Sequence, residues 1–162
     1  MLFPVAGARG TINSITLTPA DPTTMSSGVG YYLAGKQYSF TVNVIDPDIT
    51  GWAGISDVRI TIPNSTNIVV SIAPSGTGTD LPVTVVSGTV NAVADVTGTY
   101  NNFTVTFKIT FRWDTPENLT ASTQSVVAQA TTTNTRTDTR SVYYGICSSI
   151  KILNIAASGT AA

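Results

Sequence analysis

From Phe103 to Trp113 every second residue is large and apolar: Phe103, Val105, Phe107, Ile109, Phe111 and Trp113. Thr104, Thr106, Lys108, Thr110 and Arg112 lie between them. A period of two puts one set of side chains on each face of a strand, so this run predicts a long strand with one face in a core. Its length suggests a central strand of the larger sheet, with Trp113 as the last residue of the buried face. The same alternation recurs in "KQYSFTVNVIDP" (36–47), where Tyr38, Phe40, Val42 and Val44 point inward, and in "ISDVRITIP" (55–63), where Val58, Ile60 and Ile62 do. Further strands are expected in "TINSITLTP" (11–19), "NIVVSIAP" (67–74), "LPVTVVSGTV" (81–90), "NAVADVTG" (91–98), "TASTQSVVAQATT" (120–132) and "TRSVYYGICSSIKILN" (139–154). Asn64-Ser65 and Asn101-Asn102 read as turns. No stretch carries apolar residues at i, i+3, i+4 and i+7 over a helical length.

Seven to nine short strands with turns every 8–12 residues or so predict an all-β, immunoglobulin-like antiparallel β-sandwich. The 162 residues make one domain with extensions. Residues 1–20 are an N-terminal arm or the first strand, 21–154 the sandwich, and 155–162 a C-terminal tail. A long loop is expected around "APSGTGTD".

Composition narrows the function. Apolar residues reach 42%, enough for a core, while charged residues are only 10%. Thr is the commonest residue, which suits strands whose outer face meets water. A net charge of −1, with eight Lys and Arg scattered along the chain, gives no basic stripe for nucleic acid. No apolar run approaches the 18 or so residues of a membrane span. The start, "MLFPVAGARG", has no basic region and its apolar run is broken by Pro4, so it does not read as a signal peptide. The single Cys147 lies in an apolar, strand-like run and reads as a small core residue.

Catalytic chemistry finds no anchor in the pattern. The chain has no His for a Ser or Cys nucleophile and no G-x-S-x-G elbow. No carboxylate pair stands out for glycoside hydrolysis. "GYYLAGK" (30–36) begins like a phosphate-binding loop, with Gly30, Gly35 and Lys36, but Gln37 replaces the magnesium-binding hydroxyl and a strand follows where a helix is needed. A non-enzymatic protein is expected.

Three groups of residues are candidate sites. Asp46 and Asp48 in "DPDITG", with Asp57 nearby, offer carboxylates around a turn, the oxygen-rich setting that calcium prefers; the plainer reading is a structural turn. Calcium is the one cofactor this suggests. Asn64, Asn102 and Asn118 head N-x-[S/T] sequons at expected turns or strand edges and are candidate glycosylation sites. Trp52 in "TGWAG", and Tyr31-Tyr32 in "GYYLAG", are candidate contacts for a glycan or a partner; for Trp52 the alternative is an aromatic tucked under the sandwich edge.

"YSFTVNVIDPD…GISDVRITI", "FTVTFKITFRWDTP" and "SVVAQATTTNTRTDT" together resemble the bacterial immunoglobulin-like and fibronectin-type-III-like repeats of large surface proteins, over residues 36–145 or so. "DPDITG" and "AQATTTNT" depart from the acidic versions usual in those repeats. The resemblance implies an extracellular structural, adhesive or spacer role. The leading expectation is a structural subunit or repeat of a surface assembly. Its N-terminal arm would add as a strand to a neighbour's sheet, and head-to-tail repetition of that contact builds a filament. The alternatives are an adhesin or carbohydrate-binding module and a virion or tail component.

Overall fold

The computed structural model describes residues 14–148. Residues 1–13 of the expected arm (1–20), residues 149–154 of the strand expected over 139–154, and the tail at 155–162 lie outside the described residues.

Twelve strands follow one another: β1 (Ser14–Thr18), β2 (Thr23–Thr24), β3 (Gly30–Leu33), β4 (Gln37–Ile45), β5 (Asp57–Ile62), β6 (Ile68–Ile72), β7 (Gly78–Pro82), β8 (Thr84–Ser87), β9 (Val90–Thr99), β10 (Asn102–Phe111), β11 (Asn118–Thr131) and β12 (Thr135–Cys147). Among the described residues one 3-10 turn, Trp52–Gly54, interrupts them. Five strands form one sheet in the order β1-β4-β10-β9-β7, and seven form the other in the order β2-β3-β12-β11-β5-β6-β8. In the first, β1-β4-β10-β9 matches the ABED order of an immunoglobulin domain; in the second, β12-β11-β5-β6 matches GFC with an added C′ strand. The expected immunoglobulin-like sandwich is therefore present on an eight-strand framework, and β2, β3, β7 and β8 are short additions to it. One pairing departs from antiparallel: β3 runs parallel to β12, with Tyr31, Tyr32 and Leu33 opposite Gly145, Ile146 and Cys147.

The alternating segments form strands for the reason their sequences suggest. In β4, β5 and β10 every apolar member of the alternation is buried and its polar neighbours are not. β10 is the middle strand of its sheet, with Phe107 opposite Phe40 on one side and Ala94 on the other. That sheet is the smaller of the two, not the larger as its length suggested. The strand also stops sooner than expected. It ends at Phe111, and Arg112–Thr115 make a turn in which the Thr115 amide donates to the Arg112 carbonyl and the Arg112 amide donates to Thr115 Oγ1. Trp113 leaves the core and is 61% exposed.

The stretch 81–90 is not one strand but the junction of three. Leu81 and Pro82 close β7 against β9, the chain crosses between the sheets at Val83, and Thr84–Ser87 pair with β6 as β8. Gly88, with φ of 88°, then turns the chain toward β9. Part of the expected long loop is therefore β7. Likewise the β9–β10 turn is Tyr100-Asn101, one residue earlier than the sequence suggested.

The sheets meet around Tyr32. Its ring stacks on Phe111 at 5.2 Å and 7°, meets Tyr38 edge-on at 4.8 Å, and contacts Phe40 and Tyr144. Its hydroxyl donates to the Ala20 carbonyl at 2.7 Å, and that of Tyr144 donates to the Pro63 carbonyl at 2.7 Å. Both phenols are held well above the ordinary tyrosine range, chiefly by burial.

Two predictions follow from this packing. Phe107→Ala empties the middle of β10 and lowers unfolding free energy by about 3–5 kcal/mol, read from urea denaturation; Phe107→Asp leaves no cooperative unfolding transition. In a spectrophotometric titration at alkaline pH, the Tyr32 and Tyr144 phenols ionise only together with unfolding. Their folded pKa values are raised, so above about pH 10 the unfolded chain loses protons that the native one keeps. Stability therefore falls as pH rises through that range.

Candidate functional site

The three aspartates of the candidate calcium site do not come together. Asp46 is buried and holds its own turn: its Oδ1 accepts from the Asp48 amide at 3.2 Å, its carbonyl accepts from the Ile49 amide, and its Oδ2 accepts from Thr132 Oγ1 at 3.1 Å. This is an Asx turn tied to the β11–β12 loop. Asp48 is exposed beyond it. Asp57 instead pairs with Arg59 at 2.6 Å along β5. Among the described residues no group of three His, Cys, Asp or Glu side chains is arranged to hold a metal ion.

The aromatic candidates divide. Tyr32 is fully buried in the inter-sheet cluster and presents nothing to a ligand. The alternation in "GYYL" explains the difference within the pair, because Gly30 and Tyr32 face the core while Tyr31 and Leu33 face outward. Tyr31 lies over Gly145, which leaves no room for a Cβ, and donates from its hydroxyl to the Leu119 carbonyl at 3.0 Å. With Met25, Leu33, Leu119 and Cys147 it lines a small recess of about 110 Å³ on the outer face of the seven-stranded sheet. Cys147 is thus half-buried at the surface, where the sequence suggested a core position. Trp52 takes up the alternative role expected of it: half-buried, it packs edge-on against Phe103 at 5.6 Å and closes that end of the core.

Two of the sequon asparagines share a surface. Asn64 and Asn118 line a polar cleft of about 390 Å³ with Pro63, Ser65, Glu117 and Gln124. Asn64 Nδ2 donates to the Pro116 carbonyl at 2.9 Å, so a glycan there costs that hydrogen bond. Asn102 is exposed at the start of β10 and is the most open of the three.

Trp113 was also placed wrongly by sequence reasoning. It borders a cleft of about 490 Å³ with Gly35, Asn91, Thr110, Phe111, Arg112 and Asp114. A Cβ on Gly35 would sit 3.2 Å from the indole, and Gly35 has φ of 77°, so the ring rests directly on a glycine backbone. Regular alternation through residue 113 hid this. The available signal was "DTP" at 114–116, a turn sequence that cuts the strand short.

The outer face of the five-stranded sheet carries one charged group of note. Lys108 lies 2.8 Å from Asp95 and 2.9 Å from Asp80. Hydrogen bonding from Lys108 holds the Asp95 carboxyl below the usual carboxylate range, and the two carboxylates hold the lysine above its own. The triad pins β7 to the sheet.

No protein-family model, curated protein or solved structure matches the chain.

Asp46→Ala lowers stability by about 1–3 kcal/mol in urea denaturation, because the Asp48 amide and the Thr132 hydroxyl, both part-buried, lose their acceptor. Millimolar calcium leaves the thermal midpoint of the unsubstituted chain unchanged.

Proposed function

We propose that the protein is a non-enzymatic structural module of an extracellular surface assembly, joined to neighbouring copies by strand addition at a sheet edge. One observation carries this reading: among the described residues, β8 is the least guarded of the four sheet edges. β1 is covered by β12, whose Asp138 accepts the outward Leu17 amide at 2.8 Å. β2 is only two residues long. β7 contains Pro82, a register irregularity between Gly78 and Leu81, and the Asp80–Lys108 ion pair. Proline, charge and irregularity are the usual means of keeping an edge from pairing.

β8, "TVVS", has no charge and no proline. Its pairing with β6 gains one residue between Val69 and Val70, and consecutive Val85 and Val86 are both exposed, at 37% and 55%. Among the described residues nothing pairs with its outer side. A bulge twists an edge, but two exposed valines keep it adhesive.

The donor suggested by the sequence is narrower than the whole N-terminal arm. Residues 14–18 of that arm are this domain's own first strand, paired with Thr41–Ile45 of β4. Residues 1–13, with Leu2, Phe3, Val5 and Ile12, remain the segment that strand exchange would use. A donor on one copy and β8 on the next make a contact that does not close on itself, which builds a filament. The extracellular setting rests on the threonine-rich, weakly charged composition and on the resemblance to surface-protein repeats.

Light scattering after size exclusion, with negative-stain electron microscopy, tests the reading. The full chain forms oligomers or filaments, and a chain carrying Val85→Lys and Val86→Lys runs as a folded monomer. An unsubstituted chain that stays monomeric at tens of micromolar overturns the proposal.

A further inference from the structure

Trp113 is a large apolar ring held in the open. Its turn is rigid for a reason unconnected with the core: Thr115, itself buried, accepts the Arg112 amide through Oγ1 and donates from the same hydroxyl to the Thr89 carbonyl. Gly35 donates its amide to the Phe111 carbonyl at 2.8 Å, which brings a Cβ-less backbone beneath the indole. One side of the ring is supported and the rest faces solvent.

Polar groups surround it. Asn91 and Thr110 oppose each other across the β9–β10 pairing, on the outer face of the five-stranded sheet. Arg112 and Asp114 flank the ring and pair at 3.1 Å, both half-exposed. These side chains supply amide, hydroxyl, guanidinium and carboxylate groups around one flat apolar surface, within the cleft of about 490 Å³.

We infer that this cleft is a saccharide-binding site, with the Trp113 indole as its stacking platform. The chemistry matches a pyranose whose hydroxyls are equatorial. Such a ring presents axial C–H groups on its faces, which pack on an indole, and a rim of hydroxyls, which seek both donors and acceptors. The polar rim favours this occupant over a strand or an apolar segment of another copy, which would face Asn91 with apolar surface and draw the Arg112–Asp114 ion pair out of water. The site uses no residue of β8, so it does not depend on the assembly proposed above.

A glycan array probed with the full chain, followed by calorimetric titration with cellotetraose and chitotetraose, tests the inference. At least one of these gluco-configured oligosaccharides binds. Trp113→Ala weakens that binding about tenfold or more, and because the side chain is mostly exposed the variant keeps its thermal midpoint. Trp52→Phe, at the opposite aromatic contact, binds as the unsubstituted chain does. Binding that also persists with Val85→Lys and Val86→Lys separates the site from assembly. Absence of binding by either oligosaccharide and by every glycan on the array overturns the inference, as does a Trp113→Ala variant that binds undiminished.

Discussion

Tyr32 is the joint on which the two sheets close. It comes from a four-residue strand that would bury little by itself, yet its ring touches Tyr38, Phe40 and Phe111 of one sheet and Tyr144 of the other. Such a ring must also satisfy its hydroxyl, and Ala20 provides the acceptor. Tyr38 answers from the other side: its hydroxyl accepts the Leu33 amide at 2.9 Å and shares a hydrogen bond with Thr23 Oγ1 at 2.8 Å. Apolar contact and phenolic hydrogen bonds thus fix the segment from Ala20 to Leu33 against the framework. β3 can then run parallel to β12, a pairing that no hairpin could produce.

Everything at the surface follows from how that framework ends. A sandwich has four edges, and each must be covered, broken or left to pair. The carboxylate of Asp138 and the proline and ion pair of β7 dispose of two, and brevity disposes of β2. β8 is what remains. At the tip of β10, the strand that would have carried Trp113 inward is stopped by the Thr115 turn, and the indole is set on Gly35. Assembly and ligand binding are proposed at these two places because both leave apolar surface in water without a partner among the described residues.

The strands that alternate cleanly were legible. Burying one face of β4, β5 or β10 rewards only one register, and a slip of a single residue would expose every Phe, Val and Ile on it. The candidate sites were much less legible. Asp46 and Asp48 looked like metal ligands because turn residues and calcium ligands are the same residue types; only the Asp48 amide and Thr132 hydroxyl show that the Asp46 carboxylate is already committed. Tyr31 and Tyr32 are adjacent and identical in sequence, and which of them is buried depends on what β3 packs against. Trp113 continued a perfect alternation, and only the turn residues at 114–116, just beyond it, marked that the strand had ended.

What the sequence determined by itself is therefore the class of the fold and the inward faces of its long strands, because period-two burial is a local property repeated many times over. It also marked most of the turns to within a residue or two, since Pro presets its backbone angle while Gly, Asn and Asp tolerate the angles that turns need. The tertiary structure decided which sheet each short strand joins, as in 81–90, where the chain changes sheets at Val83 without any break in its apolar character. It decided which edge stays open and which aromatic ring faces water. Those outcomes depend on contacts between residues far apart in the chain, such as Leu17 with Asp138 and Gly35 with Trp113, and no window of sequence contains both partners.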